Sequence, residues 1–242
     1  MQVRTEELYD TLRGFKRIQE TDRVDFDCAR CGACCKLYEN ILLKPFDIFK
    51  LSKRLSLAPA DFVEGYCELL QDAHSKLPVV KFRKTSGHSG TCPFLRGKKC
   101  SVYDARPTSC TLYPLIRIID PETGGGAYYL PPDMCDKGHS PIPLSEWLGL
   151  NKIDGDEESA ALWYGWMRDA AQGIAEIFSA DSVLPPESKY AFFQFLFAAL
   201  YLKYDTGADF TEQFNSNREL IGSMTEIYLV DVLMNTLTEG DE

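Results

Sequence analysis

The sequence predicts an α+β protein, predominantly helical, in which a cysteine-rich, metal-organised segment with short strands precedes a C-terminal helical bundle. Three observations carry that expectation. Residues 28–35 read CARCGACC, four thiols within eight positions, and further cysteines follow in loop-like surroundings. Short apolar runs such as ILL at 41–43 and PVVKFR at 78–83 have the length of strands. Beyond residue 140, apolar residues recur at helical spacing over three long segments.

Taken in order, residues 5–20 place Leu8, Leu12, Phe15 and Ile18 at helical spacing, with Gly14 weakening that helix. The cysteine stretch has no period and reads as a loop wrapped around something. ILL is a short buried strand. Pro45 suits the first turn of a helix that FDIFKLSKRL continues, and APADFVEGYCELL reads as a second helix entered through Pro59. PVVKFR is a strand. LIRIID and AYYL read as a hairpin around PETGGG, whose glycines lack the setting of a phosphate-binding loop. From about 140, SPIPLSEWLGL and NKIDGDEES form a connection rich in Pro, Gly and Asp. Helices are expected over about 157–179, 186–204 and 210–237. The middle one is apolar nearly all round, as the buried member of a bundle would be. Trp163, Trp166, Phe192, Phe193, Phe195 and Phe197 read as core or interface. This organisation suggests a cysteine domain over 1–140 and an acidic helical region over 141–242, with the bundle packed on the cysteine domain.

The chain has 242 residues, 45% hydrophobic and 26% charged, enough to build a core without disulfides. The N-terminal MQVRTEELYD has no apolar stretch, so no secretory leader is expected. The longest apolar run, YAFFQFLFAALYL at 190–202, is shorter than the ~20 residues a membrane span needs. A cytoplasmic location follows, and there clustered thiols serve metals or catalysis rather than disulfides. Residues 1–140 carry 21 Lys and Arg against 18 Asp and Glu, a net +3, whereas 141–242 carry 5 against 18, a net −13. Nucleic acid is not an expected partner of such an acidic half.

Of nine cysteines, Cys67 lies in the apolar pattern FVEGYCELL and reads as a small buried hydrophobe. The other eight, Cys28, Cys31, Cys34, Cys35, Cys92, Cys100, Cys110 and Cys135, are enough for two four-coordinate sites. Cys28, Cys31 and Cys34 are spaced C-x2-C-x2-C, so a curling loop can turn three sulfurs toward one centre, with Gly32 relieving the backbone. That spacing with a remote Cys-Pro, here Cys92-Pro93, is the ferredoxin pattern and favours an iron–sulfur cluster, 4Fe–4S in form, over zinc. Tetrahedral sulfur ligation suits both metals. In extended chain, adjacent side chains point to opposite sides. Cys34 and Cys35 are therefore expected to serve different centres, or one ligates while the other stands beside it or simply packs. His139 makes a C-x3-H pair with Cys135 or is a surface residue; His74 and His88 have no partners nearby in sequence.

CARCGACC, LKPFDIFKLSKRL and CPFLRGKKCSVYDARPTSCTLYP, followed by a later cysteine, closely resemble the YkgJ-like cysteine-cluster family, with its CxxCxxCC signature, over about residues 26–138. The resemblance implies a zinc- or iron-chelating domain with the eight cysteines named above as metal ligands. A similar cluster occurs in flagellin lysine methylases. The residue after the third downstream cysteine is commonly Arg in this family and is Thr111 here. Pro107 is expected to fix the turn that brings Cys100 and Cys110 together, and Arg106 to pair with a sulfur or with an acid such as Asp47 or Asp104. Three functions stay open: a metal-binding protein with a structural or redox role, an enzyme related to the methylases, and an interaction module docking a protein partner through its acidic helical half. Oligomeric state and catalytic residues are not indicated, and no glycine-rich cofactor loop is present.

Overall fold

A computed structural model describes residues 14–19, 21–26, 28, 30–37, 41–73, 75–85, 90–119, 126–131, 138–151, 154–179 and 182–239. The elements in chain order are β1 (Lys16–Ile18), β2 (Arg23–Phe26), α1 (Cys34–Leu37), β3 (Leu42–Leu43), α2 (Pro45–Leu55), α3 (Pro59–Tyr66), β4 (Cys67–Gln71), β5 (Pro78–Phe82), β6 (Leu95–Arg96) and β7 (Lys99–Cys100). There follow a 3-10 turn at Tyr103–Ala105, α4 (Thr108–Leu112), β8 (Ile116–Ile119), β9 (Gly126–Leu130), β10 (Gly138–Pro143), α5 (Leu144–Leu150), α6 (Asp154–Ile177), α7 (Pro186–Phe197) and α8 (Phe210–Glu239). The fold is α+β and predominantly helical, its strands short and antiparallel. No helix among the described residues is long and apolar enough to cross a membrane.

The chain forms two compact units, each built from two segments. The first takes residues 1–31 and 108–158, the second 32–107 and 159–242. The division expected at 140 is not where the units part, because residues on either side of it are tied back to β2. Strand β10 pairs with β2, Gly138 opposite Phe26 and Ile142 opposite Val24. The Leu144 amide donates to Asp22 O at 3.0 Å, and Trp147 Nε1 donates to Phe26 O at 2.7 Å. The segment expected to be an irregular connection is thus strand and helix.

In the first unit, β1, β9 and β8 form a sheet in that order, with Ile18 opposite Tyr128 and Ile119 opposite Gly126. The expected hairpin is present; its tip, 120–125, lies outside the described residues. The helix expected over 5–20 does not reach its C-terminal part. Gly14 stands at φ +89, outside helical geometry, and Ile18, in β1, is buried against Val24, Phe26, Leu112, Leu115, Tyr128, Leu144 and Trp147. Residues 1–13 lie outside the described residues.

In the second unit, α2 begins with Pro45 at its first helical position, and the Lys44 amide donates to the buried Asp47 carboxylate at 3.0 Å. It ends at Ser56, φ +54, after Lys53 and Arg54 in its last turn, where cations suit the helix dipole. Ile48, Phe49 and Leu51 form its buried face. Helix α3 stops at Tyr66, earlier than expected, and CELLQ becomes β4. Cys67 pairs with Phe82 in the order β3-β5-β4, and the Arg83 amide donates to Tyr66 O at 2.8 Å. A strand partner arriving from 78–82 outcompetes helix propagation past Gly65.

The three C-terminal helices occupy the expected spans. After α7 the chain makes a π turn, Ala198–Leu202, closed by the Lys203 amide on Ala198 O at 3.0 Å. Phe192, Leu196, Ala199, Leu200 and Tyr201 are buried, as the all-round apolar pattern requires. Tyr201 Oη donates to Pro78 O at 3.1 Å, and Phe210 packs on Phe46, Phe49 and Tyr204 with centroids 5.1, 5.4 and 5.3 Å away. Within this unit the bundle is therefore packed on the cysteine-bearing segment, around one shared core.

Candidate metal centre

Cys34 and Cys35 open α1, a single helical turn. Successive helical side chains lie about 100° apart, not the 180° of a strand, so neighbouring thiols can converge. The Cys35 carbonyl accepts the Cys92 amide at 3.0 Å, which fixes the start of CPFLRGKKC beside α1. Leu95 then pairs with Cys100 across β6–β7, a hairpin turned at Gly97 (φ +64) and Lys98. Glycine at the first turn position allows the two-residue turn. Phe94 anchors this knuckle. It is buried against Phe62, Tyr66 and Phe82 with centroids 6.2, 4.9 and 5.4 Å away. Ser101 donates to Phe94 O from both its amide, at 2.9 Å, and its hydroxyl, at 3.1 Å.

The consequence is an array of four thiols in one unit: Cys34, Cys35, Cys92 and Cys100. The Cys34 thiol donates to Cys35. That bond, then burial, holds Cys34 well above its ordinary range. Cys35 is pulled down by accepting from Cys34. Its own hydrogen bond to Cys92, burial, and the nearness of Cys92 and Cys100 outweigh this and push it up to about 11. Burial also raises Cys100, while the Val102 amide and the positive charge of Arg106 act in the opposite sense. The Arg106 guanidinium stands 3.8 Å from the Tyr103 ring centroid. Asp104 is held instead by Arg54 Nε, at 2.7 and 3.0 Å. Thr111 is buried in α4.

Sequence spacing grouped Cys34 with Cys28 and Cys31 and left Cys35 either to a second centre or beside the first. The structure shows Cys34 and Cys35 hydrogen-bonded to one another. The chain passes from one unit to the other between Cys31 and Gly32. Cys28 and Cys31 lie in the first unit, as does Cys110 in α4, and Cys28 packs against that unit's core. Cys100 and Cys110 thus fall in different units. Cys135 lies outside the described residues, as do His74, His88 and the side chain of His139, whose backbone is in β10. Cys67 is buried, as expected; desolvation pushes its thiol up to about 12 despite the charge of Arg83. Phe94 gave no sequence signal beyond being the single aromatic between two ligand-type cysteines.

The array suits a soft metal in donor type and number: four sulfurs, each partly exposed and so reachable. Among the described residues, no three Cys, His, Asp or Glu side chains already gather around one point at ion-holding distance. The thiols form a hydrogen-bonded chain, the protonated form of such a donor set. Gly32, φ +73, lets the loop lie on the hairpin. A Cβ there would stand 3.0 Å from both Leu95 Cδ1 and the Lys98 carbonyl oxygen.

Residues 27–136 match the CxxCxxCC family. That family is described as "Putative zinc- or iron-chelating domain". The match takes in both halves of the cysteine pattern and ends just past Cys135. The acidic helices beyond it are outside the CxxCxxCC segment. No curated protein and no solved structure matches the chain.

Proposed function

We propose that the CxxCxxCC segment chelates a single zinc or iron ion through Cys34, Cys35, Cys92 and Cys100, and that this ion ties α1 to the β6–β7 hairpin. The observation that carries this reading is the hydrogen-bonded run from Cys34 through Cys35 to Cys92, with Cys100 beside it. Sulfurs bound tetrahedrally to one ion at ~2.3 Å stand ~3.8 Å apart, about the reach of a thiol hydrogen bond. A cubane distributes its ligands over four irons and needs them further apart. When bound, the metal supplies a cross-link between segments distant in sequence. Cys28, Cys31 and Cys110 lie in the other unit and are not part of this ligand set. Clustered thiols, without disulfides among the described residues, support a reducing compartment, the cytoplasm, as its setting.

A second reading, a 4Fe–4S cluster with a redox role, is supported by the C-x2-C-x2-C spacing and by Cys92-Pro93. One experiment separates the two. The chain is purified anaerobically and analysed for zinc, iron and acid-labile sulfide, alongside Cys34→Ser and Cys92→Ser. The proposal expects no sulfide and one metal equivalent lost in each variant. Sulfide with a broad brown absorption selects the cluster. A full metal complement in both variants overturns the ligand assignment.

A further inference from the structure

Helix α8 buries one face, with Phe210, Phe214, Ile221, Thr225 and Val232 turned into the core. A second apolar face is left outside. Leu220, Ile227, Val230 and Met234 are exposed, as is Leu233 at their edge, from 41% at Leu220 to 60% at Leu233. Leu220, Ile227 and Met234 are seven residues apart, and Val230 falls midway in the heptad, at the d position if Leu220 is a. This is the narrow seam of a coiled coil rather than the broad stripe of a core helix. Between its first and last members it runs ~21 Å along the axis. Its borders are acidic. Glu219 and Glu226 lie on one side and Asp231 on the other, all exposed, and no Lys or Arg occurs from 219 to 239.

We infer that this seam docks a basic amphipathic helix of another protein, one with aliphatic residues at a and d and Lys or Arg beside them. Charge decides the occupant. Flanking residues set partner choice in coiled coils, and this seam offers anions alone. A second copy, parallel or antiparallel, would bring Glu219, Glu226 and Asp231 against their own kind. A basic helix turns each of them into an opposite-charge contact, and its apolar side covers the five exposed apolar side chains. The surface lies wholly on α8 and does not depend on the metal.

The test uses the full chain and a fluorescent three-heptad peptide with Leu at a and d and Lys at e and g. Controls are a scrambled peptide of equal composition and a version with Glu replacing Lys. Fluorescence anisotropy is expected to show the heptad Lys peptide binding about tenfold or more tighter than both controls, and weakening as salt rises. Ile227→Asp with Val230→Asp is expected to lower that affinity about tenfold or more. Glu219→Lys, Glu226→Lys and Asp231→Lys together are expected to switch the preference to the Glu peptide. All five positions are exposed, so circular dichroism should show parent-like folding. The peptide comparison on the parent chain stands even if a variant folds poorly. Equal binding of heptad and scrambled peptides overturns the inference. So does a concentration-dependent dimer of the parent, seen by sedimentation and lost in Ile227→Asp, since the seam would then be self-paired.

Discussion

Replacing Gly32 with Ala tests how the loop is held on the hairpin. Gly32 sits at φ +73, and a methyl there would stand 3.0 Å from Leu95 Cδ1, 3.0 Å from the Lys98 carbonyl oxygen and 3.4 Å from its carbonyl carbon. The leucine tip can swing aside. The carbonyl cannot, because it belongs to the turn between Arg96 and Lys99. The left-handed backbone costs ~1–2 kcal/mol for a residue with a Cβ. Overpacking against backbone adds ~1–3 kcal/mol. Restricting the unfolded chain returns ~0.4–1 kcal/mol. The net loss is about 2–3 kcal/mol, or roughly 4–12 °C in melting temperature for a chain of this size. Strain borne by the loop that carries Cys34 and Cys35 also weakens metal retention, by up to ~100-fold at 1.4 kcal/mol per decade. Thermal melting of the metal-free chain and competition with a chromogenic chelator measure the two effects. A Gly32→Ala protein that melts within ~1 °C of the parent and holds metal within about threefold would show that neither the backbone angle nor the Lys98 carbonyl constrains this position.

Other perturbations separate the roles of the thiols and the helices. Cys67→Ala should leave the metal content unchanged and cost about 1 kcal/mol of stability, as deletion of a small buried group does; inductively coupled plasma analysis and urea melts check both. Metal affinity should rise with pH between 6 and 9, up to tenfold per unit for each proton released. Cys34, Cys35 and Cys100 are all raised, so their protons must leave when metal enters, and isothermal titration at several pH values reads this directly. Without metal the sign differs. The folded Cys67 thiol titrates near 12, above its ordinary 9.0, so its contribution to stability is complete below pH 9 and fades as pH rises from 9 towards 12. A parent whose alkaline loss of stability equals that of Cys67→Ala would contradict this. Gly165→Ala, in the interior of α6 with open space where a Cβ would go, should stabilise by ~0.5–1 kcal/mol, visible as a higher melting temperature.

Much of the fold was legible because it rests on local signals. Pro45 and Pro59 marked two helix starts, and PVVKFR and the two arms around PETGGG marked strands. Apolar periodicity placed α6, α7 and α8. What failed depended on distant partners. CELLQ follows a helix and could have continued it; only pairing with residues 78–82 makes it β4. Ile18 fits a helical stripe, yet its place is set by Tyr128. The same holds at the site. Spacing alone singled out eight cysteines as candidate ligands, but it cannot reveal that the chain leaves one unit between Cys31 and Gly32. Cys34 and Cys35 approach one another because one helical turn is present where extended backbone would point them apart. Phe94 was missed because the three aromatics that hold it come from α3 and β5, remote in sequence.

The hydrogen bond from the Cys92 amide to the Cys35 carbonyl joins residues 57 positions apart. Closing a loop of that length carries a length-dependent entropic cost of ~3.6 kcal/mol, more than one backbone hydrogen bond offsets. The two halves of the thiol array therefore meet only after α2, α3, β4 and β5 have assembled and drawn their ends together. An unfinished chain presents the adjacent pair Cys34 and Cys35 but offers no site with Cys92 and Cys100. Under the proposed ligand assignment, tight metal binding requires that everything between residues 35 and 92 has already folded.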